Sequence, residues 1–366
     1  MKINLPIKAT QMFRLDHYWR HWLAQTISPK WFVVAYSQGR TPLLKALAKE
    51  AVPLVEAPQK LVELWGLRFR NDLSNAAGFD KDGTLLNFNY SLGAGFTVVG
   101  TVLNRPHRGN LFSALGRTFN PWVPLPASSS AVNSLGLPGQ GIDPVLERIK
   151  DFKAQIQPVD YPIGLSVMGH PAQQGQAKID GVCECLEKAL PLVDFIEINE
   201  SCPNVAQHDP LAFEQRIKSF CAVRDRLAPR KPLWVKFGST PSDDSLKLLD
   251  QSGVQAVVLL NTQTNYAEIR GRLPKADHRI FDFYTKNYKG GVSGKVIQGE
   301  AEKAVGNVAK AIQRLGLSLK IVHVGGLSSK DDMNRSRQLA PLREWYTGLM
   351  ESFATRSPEA VYREVF

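Results

Sequence analysis

The chain has 366 residues, 43% of them apolar and 22% charged, with a formal net charge of +11 at pH 7. This suits one large α/β domain with an appendage. The spacing of the four cysteines matches neither a zinc site nor a disulfide framework, so a reducing, cytoplasmic location is the default. No apolar run approaches the ~18 residues of a membrane span, and no signal-peptide pattern follows the first lysines.

The positive charge is uneven. Residues 1–60 hold nine Lys/Arg against Asp16, Glu50 and Glu56, and they also hold Trp19, Trp22 and Trp31. They read as short amphipathic helices, one of them starting at Thr41-Pro42, with Leu43, Leu44 and Leu47 on one face. A basic helical segment flanked by Trp fits a membrane-surface anchor better than a simple cap on the main domain. No aromatic-rich basic stripe or nucleic-acid motif appears, so nucleic acid is not an expected partner.

From residue 61 onward, strands alternate with helices. The expected strands are Leu73–Ala77, Phe96–Thr101, Pro162–Val167, Phe195–Asn199, Leu233–Phe237, Ala256–Asn261 and Lys320–Val324, with a weaker eighth near Trp345–Thr347. Most are β-branched runs without alternation, as parallel strands buried on both faces require. Helical patterns such as Ala177–Val193 and Gly306–Gly316 lie between them. Eight units in about 300 residues predict a (β/α)8 barrel over 61–366, with a doubly wound sheet as the alternative. Gly78, Thr101, Ser166, Asn199, Lys236, Asn261, Gly325 and Gly326 all fall at or just past the C-terminal ends of these strands. In a barrel those ends converge on one mouth.

Several motifs carry chemistry. In Asn199-Glu-Ser-Cys202-Pro-Asn204 a thiol stands between side-chain amides where Pro203 stops a strand. A thiol with a lowered pKa can act as a base, and amides can hold a planar polar ligand. In Asn75-Ala-Ala-Gly78-Phe-Asp-Lys81-Asp-Gly83, small residues admit a flat ring and Lys81 offers a cation to an anion. Gly290-Gly-Val-Ser-Gly294 and Val324-Gly-Gly326 are candidate phosphate cradles late in the barrel. Lys236, ending Trp234-Val-Lys, needs an anionic partner if it points into the mouth.

As an ordered set these motifs resemble the dihydroorotate dehydrogenase family, from about Leu61 to Thr347. The set includes Gly100-Thr101, Arg105-Pro106, Gly109-Asn110, Asn133-Ser-Leu-Gly136, Asn261-Thr262 and Tyr346-Thr347. The resemblance implies an FMN-binding barrel that oxidises dihydroorotate to orotate in pyrimidine synthesis. By position, Ala77, Gly78, Thr101, Ser166, Asn199, Lys236, Gly294, Gly326, Tyr346 and Thr347 would hold FMN. Lys81, Asn133, Asn199, Asn204, Asn261 and Thr262 would hold the pyrimidine. Cys202 would take the C5 proton while hydride passes to flavin N5.

The chain mixes features of two family classes. Cys202 is the base of soluble class 1 enzymes. The N-terminal extension and Gly-Phe-Asp-Lys-Asp-Gly look like membrane-associated class 2, which uses Ser there and implies quinone as acceptor, with peripheral membrane contact on the cytoplasmic side. Ser166 replaces the family's Asn, and Arg337–Trp345 lacks the usual Gly-Ala. An alternative is a flavin oxidoreductase of the same fold acting on another small cyclic substrate.

Overall fold

Eight short strands form one parallel sheet: β1 (Leu73–Asn75), β2 (Thr97–Val102), β3 (Ile163–Val167), β4 (Phe195–Asn199), β5 (Leu233–Lys236), β6 (Ala256–Leu259), β7 (Lys320–Val324) and β8 (Leu342–Trp345). Their spatial order is β1-β8-β7-β6-β5-β4-β3-β2, so each lies beside its neighbours in sequence. A parallel bridge between Ser74 and Phe96 joins the two ends, giving the expected (β/α)8 barrel. The computed structural model describes residues 8–50, 52–56, 58, 60–200 and 210–366.

Burial on both faces explains why the strands do not alternate; β2, β3, β5 and β6 are buried at every position. The lower interior is aromatic. Phe195 stacks on Trp234 with ring centres 3.9 Å apart. The hairpin Val62–Leu64/Leu67–Phe69 plugs the N-terminal end, with Trp65 against Trp234 and Phe69 edge-on to Phe96. Phe195 fills the space that a side chain at position 164 would need: a Cβ on Gly164 would lie 2.1 Å from its ring.

Two expectations require correction. The eighth strand lies at Leu342–Trp345, ahead of the expected Trp345–Thr347, because Thr347 already begins the helix Thr347–Thr355. Its apolar run is interrupted by two buried ions, Arg343 and Glu344. Arg343 leaves the barrel to pair with Asp72 at 2.8 Å, while Glu344 faces Lys236 at 3.2 Å. Secondly, Thr41-Pro42 does not start a helix. Pro42 sits inside one continuous helix, α2 (Pro29–Lys49), whose start is Ser28-Pro29. An interior Pro costs about 3 kcal/mol. Burial of Phe32, Val33, Val34 and Leu47 offsets this, at roughly 1.5–3 kcal/mol per large side chain.

The preceding helix, α1 (Ala9–Thr26), lies along the helix Thr347–Thr355, with Phe13 against Phe353 at 5.4 Å and Arg20 paired with Glu351. Helix α2 packs Phe32 and Val33 against Val123, Val132, Phe281 and Tyr284. Ser37 Oγ donates to the Trp122 carbonyl at 2.9 Å and accepts from the Trp122 N–H at 3.0 Å. Both helices are thus seated on the barrel and on a small antiparallel sheet, Trp122–Leu125, Ser130–Asn133 and Gly291–Gly294, at its mouth.

Candidate functional site

A cavity of about 1640 Å³ opens at the C-terminal ends of the strands. Its walls receive Ala77 and Gly78 after β1, Thr101 from β2, Asn199 from β4 and Lys236 from β5. Asn261 and Thr262 follow β6, Gly326 follows β7, and Tyr346 and Thr347 follow β8. Lys81 lies on the loop after β1, and the small sheet contributes Asn133 and Gly294. The fold therefore brings residues from all parts of the barrel to one mouth. Such a volume exceeds the ~300–1,000 Å³ of a single small-ligand pocket. Cys202 and Asn204 lie outside the described residues.

Three local arrangements position the walls. Thr101 Oγ1 accepts from Asn199 Nδ2 at 3.0 Å and is 3.0 Å from Ser166 Oγ. Ser166 is fully buried behind Thr101 and is not part of the wall; the shorter side chain supports its neighbour from below. Gly290–Gly294 is not a loop following a barrel strand. Gly291–Gly294 pairs with Ser130–Asn133, and the Val292 N–H donates to the Gln263 carbonyl at 2.8 Å. This pairing brings Gly291 against Thr262, where a Cβ would meet Oγ1 at 2.0 Å. Val324-Gly325-Gly326 follows β7 as expected, and Gly326 adopts φ +74°.

Charges in the wall are held by specific partners. Lys236 is 2% exposed, and its Nζ lies 3.2 Å from Glu344 Oε2 and 3.7 Å from Glu197 Oε2. Burial alone would lower its pKa, but Glu197 and Glu344 more than offset this and hold it above the ordinary lysine value. Lys81 behaves in the opposite way. Desolvation pulls it down to about 7, with Arg40 adding to the fall and Asp82 opposing it. Arg40 comes from α2 and donates to Tyr346 Oη at 2.8 Å and to the Gly78 carbonyl at 3.4 Å.

Glu200, the last described residue before Cys202, is held by three hydrogen bonds. The Glu200 N–H donates to the Lys236 carbonyl at 3.0 Å. Glu200 accepts two hydrogen bonds from Arg216, at 3.1 Å from Nε and 2.8 Å from Nη2. Arg216 lies on the helix Pro210–Leu227 that follows. The three described cysteines are poor bases, since burial pushes Cys183, Cys185 and Cys221 up to about 11, 12 and 11.

Sequence reasoning missed Glu197, Glu344, Arg40, Glu200 and Arg216. Glu197 carries a signal in hindsight, being a lone carboxylate in the apolar run Phe195-Ile-Glu-Ile. Arg40 has none, because only the packing of α2 delivers it to the mouth.

The dihydroorotate dehydrogenase family model matches residues 60–352. A dihydroorotate dehydrogenase (quinone) of Stenotrophomonas maltophilia strain K279a is 28% identical over 330 residues, covering 87% of this chain and 84% of the relative. One from Burkholderia thailandensis is 28% identical over 371 residues, covering 97% and 94%. In structure, the chain is similar to a DHODH from Eimeria tenella crystallised with ferulenol, with a TM-score of 0.72 and 21% identity over 90% of this chain and 89% of the other. With the family match spanning most of the barrel, the chain belongs to the dihydroorotate dehydrogenase family of enzymes.

Proposed function

We propose that the protein oxidises dihydroorotate to orotate with FMN bound in the barrel mouth, and passes the electrons to a quinone at a membrane surface. The observation that carries this reading is the meeting of two chemically different linings in one cavity. Lys81, Asn133, Asn199, Asn261 and Thr262 offer a cation, amides and a hydroxyl, which suit a planar ring with imide edges and a carboxylate. Lys236, Ala77, Gly78 and the Gly325-Gly326 turn line the rest.

The residues fit FMN. Beyond Gly78, a Cβ would meet nothing nearer than Tyr346 Cε2 at 3.9 Å, which leaves room for a flat ring. The N-terminus of the helix Thr347–Thr355, with Thr347 Oγ1 2.9 Å from Ser293 Oγ, suits a phosphate. Thr101, Asn199, Gly294, Gly326 and Tyr346 complete its contacts, with Ser166 supporting Thr101. Bound there, FMN would supply the hydride-accepting chemistry. Cys202 removes the C5 proton and Asn204 holds the pyrimidine. The position of Cys202 in the family motif supports this role, and burial raises the pKa of each of the other three cysteines.

Quinone use and membrane contact rest on the N-terminal segment, residues 1–60, as a unit serving the barrel of 61–366. The two relatives named quinone enzymes span nearly the whole chain. Helix α1 exposes Met12, Leu15, Tyr18, Trp19 and Trp22, and Trp31 follows on α2 with Lys30 5.3 Å over its ring. Trp and Lys at an apolar face suit the boundary between lipid headgroups and acyl chains. No helix among the described residues is long and apolar enough to cross a membrane.

The deciding experiment is anaerobic mixing of purified protein with dihydroorotate while following the flavin band near ~450 nm. Bleaching is the expected result. A yellow protein that stays yellow would move the function to another small cyclic substrate. A colourless protein that cannot be reconstituted with FMN would remove the proposal.

A further inference from the structure

The floor of the cavity holds more charge than cofactor binding needs. Glu197 on β4, Lys236 on β5 and Glu344 on β8 meet inside the barrel, between the aromatic plug and the mouth. Glu197 and Glu344 are fully buried. One Lys236 ammonium serves both carboxyl groups, and Glu197 Oε1, Glu197 Oε2 and Glu344 Oε1 have no hydrogen-bond partner. The surroundings are poor at solvating a second negative charge: Phe195, Trp234, Val258, Val322 and Leu342 face inward, and although Ser166 and Ser74 stand in register beside Glu197 and Glu344, those three carboxyl oxygens receive no hydrogen bond from them. The other titratable side chains of β7 and β8 face away from the interior: Lys320 is exposed, Arg343 turns to Asp72 and His323 to Ser336. No third titratable group faces the cluster among the described residues of the barrel interior.

Two carboxylates in contact in a dry site cannot both ionise against a single cation. Burial raises the pKa of Glu344, Lys236 opposes this, and contact with Glu197 adds to the rise. We propose that Glu197 and Glu344 share one proton beneath Lys236, and that this shared proton is linked to the redox state of the cofactor above it. This rests on the FMN reading just given. The cluster then holds one ammonium, one carboxylate and one carboxylic acid, and is neutral. At alkaline pH the shared proton leaves and the floor becomes negative. Hydride transfer to FMN bound there would bring two electrons and one proton, and so one negative charge, into the cavity that Lys236 lines. Above the pH at which the shared proton has left, the pair would answer by taking that proton back from solvent, so that charge stays balanced. Glu197 and Glu344 are positioning residues in this scheme, since only Lys236 reaches the cavity wall.

The test is a spectroelectrochemical titration of the FMN-loaded protein across pH, for the wild type, Glu344→Gln and Glu197→Gln. Either variant leaves one carboxylate against one ammonium and nothing to titrate. In the wild type the midpoint potential is expected to fall more steeply above the pH at which the pair loses its proton. The added slope is about 30 mV per pH unit, one extra proton per two electrons. Both variants should lack this added slope. Infrared difference spectra should show a carboxylic acid carbonyl band in the wild type that Glu344→Gln abolishes or shifts. If either variant fails to fold, the wild-type slope and band still decide. A wild type without the steeper limb, or one shared unchanged by both variants, overturns the inference while leaving the FMN reading intact. Failure to bind FMN at all overturns that reading, and this inference with it.

Discussion

The barrel floor and the outer face of α1 depart from ordinary burial in opposite directions. The floor buries an ammonium and two carboxyl groups in a shell of Phe, Trp and Val, whereas α1 leaves Trp19 and Trp22 about 60% exposed beside a protein core of its own. Charged side chains are almost never fully buried unless paired, and clustered large apolar groups on a surface mark contact sites. Both regions therefore accept an energetic cost that packing alone does not explain. They differ in how they meet it. The floor compensates internally, through ion pairing and the proposed shared proton, while the compensation proposed for α1 is a membrane surface outside the molecule.

The sharpest way to break the comparison is to remove the compensation at the floor. Lys236→Met leaves two buried carboxyl groups without their cation, and should cost about 3–5 kcal/mol of stability, read from denaturant unfolding. Loss below 1 kcal/mol would mean that water already solvates the cluster. At the reacting end, Cys202→Ala is expected to slow flavin reduction by dihydroorotate by about 10²–10⁴-fold while FMN stays bound, measured by anaerobic stopped flow. Rapid reduction in that variant would remove Cys202 as the base.

Smaller effects sharpen the contrast. An anionic ligand needs the charged form of Lys81, whose pKa lies at about 7 in the free protein. Orotate affinity should thus be pH-independent below that value and weaken up to tenfold per unit above it, as titration calorimetry would reveal. Arg40→Gln, which removes one cause of that depression, should move the break to higher pH. The mildest change belongs to α1. Trp19→Ala with Trp22→Ala should alter stability by no more than about 0.5 kcal/mol per site, since both are exposed. The same pair should lower binding to anionic vesicles and turnover with a membrane quinone, with flavin reduction unchanged. Undiminished vesicle binding would sink the membrane assignment.

What the sequence determined by itself follows from local rules. Parallel strands buried on both faces must be apolar runs, so seven of the eight could be placed, and polar residues just past their ends identified the mouth. The resemblance then named Lys81, Asn133, Asn199, Lys236, Asn261 and Thr262, which the fold does gather around one cavity. Tertiary structure decided the rest. The eighth strand was hidden because Arg343 and Glu344 look like surface residues until Asp72, just ahead of β1, and Lys236 of β5 are set beside them. Pro42 reads as a helix start, and only the packing of α2 on the small sheet carries the helix through it. Ion pairs and helix docking join residues up to hundreds of positions apart, such as Arg40 with Tyr346, and no periodicity in the chain records which distant group will satisfy a buried charge.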